Sequence, residues 1–295
     1  MAIFENIKTT FKQGDSLIKL IYINSSIFIL LNIINVVLTL FKLPINFVWD
    51  YLSIPADLTL LLFHFWTPIT YMFLHQDFFH MVFNMLSLFW FGKIFLMYFS
   101  EKQIIGLYIF GGLVAALFYV ISFNIFPYYA PLIPVSLMLG ASGSIMAIIV
   151  TTAIQAPNME MHLMFFGGVK LKFLAMVAVV SSFFGITSSN GGGQLAHLGG
   201  ALAGYFFIVS LQKGFDITKG ISTILDFFAN LFQPKKLKVK QNKYNTNSRM
   251  SDGDYNANKA QKMAKVDRIL DKIKTSGYES LTSDEKKQLF DQGKR

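Results

Sequence analysis

Ser142 stands in the string Gly140-Ala141-Ser142-Gly143, where an uncharged loop runs into an apolar helix. A serine hydroxyl becomes a nucleophile when a base takes its proton. Gly140 permits a sharp turn before it, and Gly143 clears the space around the hydroxyl. The start of a helix adds free backbone N–H groups and the positive end of a dipole, both suited to an oxyanion. A base is at hand in His197, within "QLAHLGGALAG". His80 and Asn84 lie four residues apart, so they share one helix face as further donors. The chemistry this set supports is acyl transfer. Ser142 attacks, His197 acts as base and then acid, and His80, Asn84 and the Ser142 N–H hold the oxyanion. No Asp or Glu lies near His197 in the sequence, so the pair reads as a dyad.

Each part also has a plainer reading. Small residues around Ser142 allow two membrane helices to approach closely, and His80 with Asn84 reads equally as an interhelical hydrogen-bonding pair. What links the parts is spacing. Gly200 and Gly204 form a Gly-x-x-x-Gly pair on the face that carries His197, and Gly143 with Ala147 repeats the same small-residue spacing. Packing these two seams together places His197 beside Ser142.

The elements that must position these groups are membrane helices. The chain of 295 residues is 53% hydrophobic and only 15% charged, with 31 Phe. The uncharged run from Leu20 to Phe41 is long enough to cross a hydrocarbon core about 30 Å thick. Six spans are expected, near 20–41, 78–99, 103–126, 141–155, 173–188 and 195–212. Lysines mark alternate connections: Lys8, Lys12 and Lys19, then Lys93 and Lys102, then Lys170 and Lys172, then Lys213 and Lys219. By the positive-inside rule both termini are cytoplasmic, and the second, fourth and sixth spans begin outside. Those are the spans that carry His80 and Asn84, Ser142, and His197 in their first turns. Polar groups at matched depth in a membrane commonly share one internal site.

In order, spacing and topology these residues resemble the rhomboid intramembrane serine proteases. The resemblance rests on His75, His80 and Asn84 as His-x4-His-x3-Asn, on Gly140 to Gly143, and on Ala196 to Gly204 as Ala-His-x-x-Gly-x-x-x-Gly. It covers about residues 15 to 213. It implies a six-helix rhomboid fold with a water-filled cavity open to the outside. It also implies cleavage of transmembrane protein substrates near their outer end, often at small residues beside helix-destabilising ones. Two positions depart from the family pattern. Met146 replaces the aromatic residue that often stacks on the histidine, and Trp66-Thr67 replaces a Trp-Arg pair in the first loop. The rival within the same family is a catalytically inactive protein that binds membrane clients. Such relatives typically lack the serine or the histidine.

Other classes fit less well. There is no cysteine, hence no disulfide, no thiol nucleophile and no Cys-based metal site. His75 and His80 approach a metal pair, but no third ligand joins them from another helix, so no metal or other cofactor is expected. A transporter is expected to show inverted repeats with interrupted helices, and none is evident. The formal charge of +9 does not point to nucleic acid, because the excess lies largely beyond the sixth span. There it reads as a flank facing anionic lipid.

The expected organisation is a cytoplasmic segment at 1–19, a six-helix domain at 20–213, an amphipathic interfacial helix at 214–234, a basic and polar linker at 235–257, and a small helical hairpin at 258–295. The interfacial helix rests on a stripe from Ile221 to Phe232, ended by Pro234, and a polybasic run follows from Lys235 to Lys243. In the hairpin, Met263, Val266, Ile269, Leu270 and Ile273 form a second stripe, stopped by Gly277, and Thr282 to Glu285 reads as a capping box. The fold class is thus an all-α polytopic membrane protein with a helical C-terminal region, set in the cell inner (plasma) membrane.

Overall fold

The computed structural model describes residues 14–43, 46–163, 167–231 and 252–292. Among these, the helices Ser16–Leu40 (α1), Phe78–Tyr98 (α5), Glu101–Ile125 (α6) and Gly191–Gln212 (α9) are long and apolar enough to cross a membrane. Two apolar helices are shorter, Ser142–Gln155 (α7) and Leu171–Phe184 (α8), each of 14 residues. At 1.5 Å per residue each is about 21 Å long, less than the hydrocarbon core. The first loop carries three shorter helices, Asn46–Leu52 (α2), Leu58–Phe63 (α3) and Thr67–Thr70 (α4).

Helix starts follow local chemistry. Asp15 caps α1 by accepting from the Ile18 N–H at 2.9 Å. Burial alone would raise the Asp15 pKa, but Lys93, 2.9 Å away, and the Ile18 N–H hold the carboxylate below its ordinary range. Ser100 and Gln103 form a reciprocal capping box at the start of α6. Glu101 then accepts from both the backbone N–H and the hydroxyl of Ser16, at 2.9 and 2.8 Å, so α1 and α6 are tied at one end.

The bundle is built around α6. Leu107, Tyr108, Ala115, Ala116 and Tyr119 are almost wholly buried on it, with α7 and α9 packed against it. By contrast Ile29, Leu30, Ile33 and Val36 on α1 are more than half exposed, as are Phe183 and Phe184 on α8. A helical bundle with a small-residue interior and a bulky apolar exterior is solvated by lipid. This is a multi-pass membrane protein.

The structure corrects several expectations. The chain is mostly helical, as expected, with two short strand pairs that the sequence did not announce. Ile54–Pro55 (β1) pairs antiparallel with Leu137–Met138 (β2), and Glu160–Leu163 (β3) pairs with Gly167–Lys170 (β4). The fifth apolar helix stops at Phe184, where Gly185 caps it. The sixth begins at Gly191, earlier than its sequence implies, because three successive glycines read as loop. His75, just before α5, is 1% exposed.

Beyond α9, Lys219–Leu231 (α10) packs on the start of α6. Lys102 pairs with Asp226 at 2.6 Å, and Gly106 lies against Thr218 and Ser222. Ile224, Leu225, Phe227 and Phe228 remain exposed on it. The polybasic run Lys235 to Lys243 lies outside the described residues. A second compact unit begins at Pro234. Within it Asp252–Ser276 (α11) turns at Gly277, φ 76°, into Ser283–Gln292 (α12). Thr282 and Glu285 form the expected cap, and Lys272 meets Glu285 at 2.9 Å. The Thr282 N–H, and then Lys272, hold the Glu285 carboxyl below its ordinary pKa. Among the described residues of this unit, Ile269 and Leu281 are the buried apolar ones.

Candidate active site

Ser142 is the first residue of α7, and no side chain caps that helix end. The first N–H groups of the helix are therefore left directed beyond its end, beside the hydroxyl. Two backbone contacts hold the turn before it. The Gly140 N–H donates to the Tyr71 carbonyl at 2.9 Å, and β1 pairs with β2 just upstream. Gly140 has φ +130°, a conformation open to glycine and few others. A Cβ there would also meet His80, 3.1 Å from Cε1 and 3.3 Å from Nε2, and would lie 3.7 Å from Ser142 Oγ. The His80 ring thus lies over the peptide that leads into Ser142.

His80 is placed by the cap of its own helix. Asp77 accepts from the His80 N–H at 2.9 Å and sets the first turn of α5. One turn on, Asn84 is buried, and its Nδ2 donates to the His80 carbonyl at 2.9 Å. The second hydrogen on that nitrogen is not used by this bond. His75 meets His80 edge to face, with centroids 5.4 Å apart. Neither ring nitrogen of His75 makes a hydrogen bond of standard geometry. Burial pushes its pKa down to about 4, His80 adds to the fall, and the Phe73 backbone and Asp77 only partly oppose it. His75 is neutral near pH 7.

His197 lies in the second turn of α9. Its position follows from the glycine seam. A Cβ on Gly200 would overlap the Gly143 carbonyl oxygen, and one on Gly204 would overlap the Ala147 carbonyl oxygen. A Cβ on Gly143 would lie 3.4 Å from the Ala196 carbonyl, next to His197. The backbones of α7 and α9 are therefore in direct contact, with Thr151 Oγ1 donating to the Gly204 carbonyl at 3.2 Å. The turn ahead of α9 is pinned by Tyr129 and Tyr128, which donate to the Ile186 and Thr187 carbonyls at 2.7 and 3.1 Å.

Among the described residues no hydrogen bond joins Ser142 to His197. Nucleophile and base are often apart before substrate binds. The histidine's Nδ1 is engaged elsewhere, 3.1 Å from Ser182 Oγ on α8. Sequence reasoning passed over Ser182 because it sought a carboxylate beside the histidine. The signal was "VVSSFFG", a polar pair near the end of an apolar helix. Met146 is buried in α7.

The site is thus a serine at an uncapped helix start, a histidine on the facing backbone seam, and the His80 ring over the turn before the serine, with Asn84 one turn further along the His80 helix. That arrangement suits nucleophilic attack on a carbonyl with an oxyanion directed at N–H donors. Residues 62–213 match the Rhomboid domain family, and residues 251–294 match a family of unknown function, DUF6576. A stretch of 157 residues, 50% of this chain, is 29% identical to RHOMBOID-like protein 12, mitochondrial, of Arabidopsis thaliana. The match spans about half of that relative's length, 47%.

Proposed function

Because this chain belongs to the rhomboid family, we propose that it is an intramembrane serine endopeptidase with a Ser142–His197 dyad. The observation that carries the reading is the backbone contact between Gly143 and Gly200, which sets Ser142 and His197 on facing helices. Ser142 adds to the scissile carbonyl and its proton passes to His197 Nε2. The oxyanion is held by the Ser142 N–H, His80 and Asn84. His197 then returns the proton to the leaving amine, and water releases the acyl group by the same path. The substrates are transmembrane proteins cut near their outer end. All six apolar helices cross the bilayer, the two short ones included, with both termini in the cytoplasm of a cell whose inner (plasma) membrane holds the enzyme. The deciding experiment is labelling of the purified protein with a fluorophosphonate probe. The wild type is expected to label and Ser142→Ala is not. A wild type that stays unlabelled while folded would favour a client-binding protein without catalysis.

Asn84→Ala separates an oxyanion donor from helix glue. Its amide meets charge that develops only in the transition state, and loss of one such donor costs about 3 kcal/mol. Turnover is expected to fall more than a hundredfold with little change in KM. A loss confined to KM would assign Asn84 to packing instead.

The C-terminal part supplies none of the groups named in this chemistry. The apolar side chains exposed on α10 rest in the inner leaflet, and five lysines follow in the sequence. Each of the five lysines between Lys235 and Lys243 contributes about 1 kcal/mol of attraction to an anionic surface. Truncation after Pro234 is expected to leave cleavage of a short transmembrane substrate unchanged. The fragment 215–295 is expected to float with anionic vesicles, less so at high salt, and not with neutral ones. Equal binding to both would remove the electrostatic part of the reading.

A further inference from the structure

Ser182 lies in the last turn of α8 and is 2% exposed. Its Oγ is 3.1 Å from His197 Nδ1 and donates to the Ala178 carbonyl at 2.8 Å. We propose that Ser182 is a positioning residue for His197: its hydrogen is committed to Ala178, so its oxygen accepts a hydrogen bond from Nδ1–H and leaves Nε2 as the free base. The proposal rests on the protease reading of the same site.

A neutral imidazole carries one N–H. Nε2 can take the Ser142 proton only if that N–H is on Nδ1, and the group facing Nδ1 sets the tautomer. A hydroxyl is ambiguous there, because it donates or accepts. Ser182 is a helical serine, and such serines donate to the carbonyl four residues back. Ala178 is that residue. With the single hydroxyl hydrogen so placed, the oxygen presents lone pairs to the ring. The same orientation serves the whole cycle. When the Ser142 Oγ–H bond breaks and Nε2–H forms, both ring nitrogens carry hydrogen. Ser182 still accepts from Nδ1 without rotating, and it exchanges no proton itself. A carboxylate in this position would do the same work but would bring a charge to membrane depth, where it is costly. A hydroxyl whose donor direction is fixed by the helix avoids that cost. The opposing view is that Ser182 only joins α8 to α9.

The test uses the full chain in nanodiscs with 15N-labelled histidine, and His197 assigned by its loss in His197→Gln. The wild type is expected to show the proton on Nδ1 and a pyridine-type Nε2. Ser182→Ala should populate both tautomers and lower kcat about tenfold, with KM little changed and fluorophosphonate labelling slowed in parallel. Ser182→Thr keeps the hydroxyl and the bond to Ala178, and is expected to restore both tautomer and rate. Ser181→Ala, which removes an exposed neighbour bonded to the same carbonyl, should change neither. A wild-type His197 with its proton on Nε2 overturns the proposal without recourse to any variant. So does Ser182→Ala with unaltered tautomer, whether its rate is normal or it merely melts earlier. Failure of the wild type to label sinks the protease reading, while the nitrogen shifts still decide what Ser182 does.

Discussion

Ser142→Ala is expected to abolish cleavage of a model transmembrane substrate, a loss of order 10⁶-fold, and His197→Ala to do nearly the same. In the proposed mechanism the two residues act as one unit. The hydroxyl is a poor nucleophile without the base, and the base has nothing to deprotonate without the hydroxyl. The double variant should therefore be no slower than either single one, where independent contributions would multiply. The effect should be chemical and not structural. The Ser142 side chain makes no hydrogen bond among the described residues and is only partly buried, so its removal should leave the melting temperature within a degree or two of wild type. The checks are turnover in liposomes and thermal unfolding in detergent. Substantial hydrolysis by a folded Ser142→Ala would end the assignment of this site.

The second large effect is on stability. Gly200→Ala adds a Cβ to a place already filled by the Gly143 backbone, with the Gly143 carbonyl carbon 2.9 Å and its Cα 3.3 Å from where that Cβ would stand. The obstacle is main chain and cannot rotate away, so α7 and α9 must separate along the seam that carries Ser142 and His197. Overpacking in a tight core costs about 1–3 kcal/mol, and rigid backbone on both sides puts this site at or above the upper end. Activity should fall with stability, because the same displacement parts the dyad. Gly220→Ala is the control. It lies near the start of α10 with nothing within 4 Å of the added carbon. There the usual helical preference for alanine should leave the protein unchanged or up to about 1 kcal/mol more stable. Equal melting of Gly200→Ala and wild type would show that the seam is looser than its geometry.

The sequence carried these two predictions unequally. The glycine seam was legible because small-x-x-x-small spacing on two helices has one close-packed solution. The helices themselves were legible from uninterrupted apolar runs. Their ends were less so, since Gly191 to Gly193 is a poor helix by propensity and is held helical by the turns and tyrosines around it. The pairing of Ile54–Pro55 with Leu137–Met138 left no trace, because two residues have no period and their partner is more than eighty positions away. The burial of His75 was not legible either, because Gln76 and Asp77 follow it in sequence. Ser182 was missed through chemistry and not pattern: an orienting group for histidine was sought among carboxylates, and membrane depth favours a neutral one.

One hydrogen bond in the first loop has a mechanical meaning. The Tyr71 carbonyl holds the Gly140 N–H at 2.9 Å, and Ala56 reaches the Ser136 carbonyl at 3.1 Å from the same loop. That loop also bears Leu62, Phe63 and Phe65, each more than 70% exposed. Side chains of this kind anchor in acyl chains at a membrane boundary. A load that the bilayer places on them is passed along a short, stiff path of main chain to the turn that carries Ser142. The rigidity of the turn beneath Ser142 is then set partly outside the protein, by the tension and thickness of the medium in which the first loop is moored.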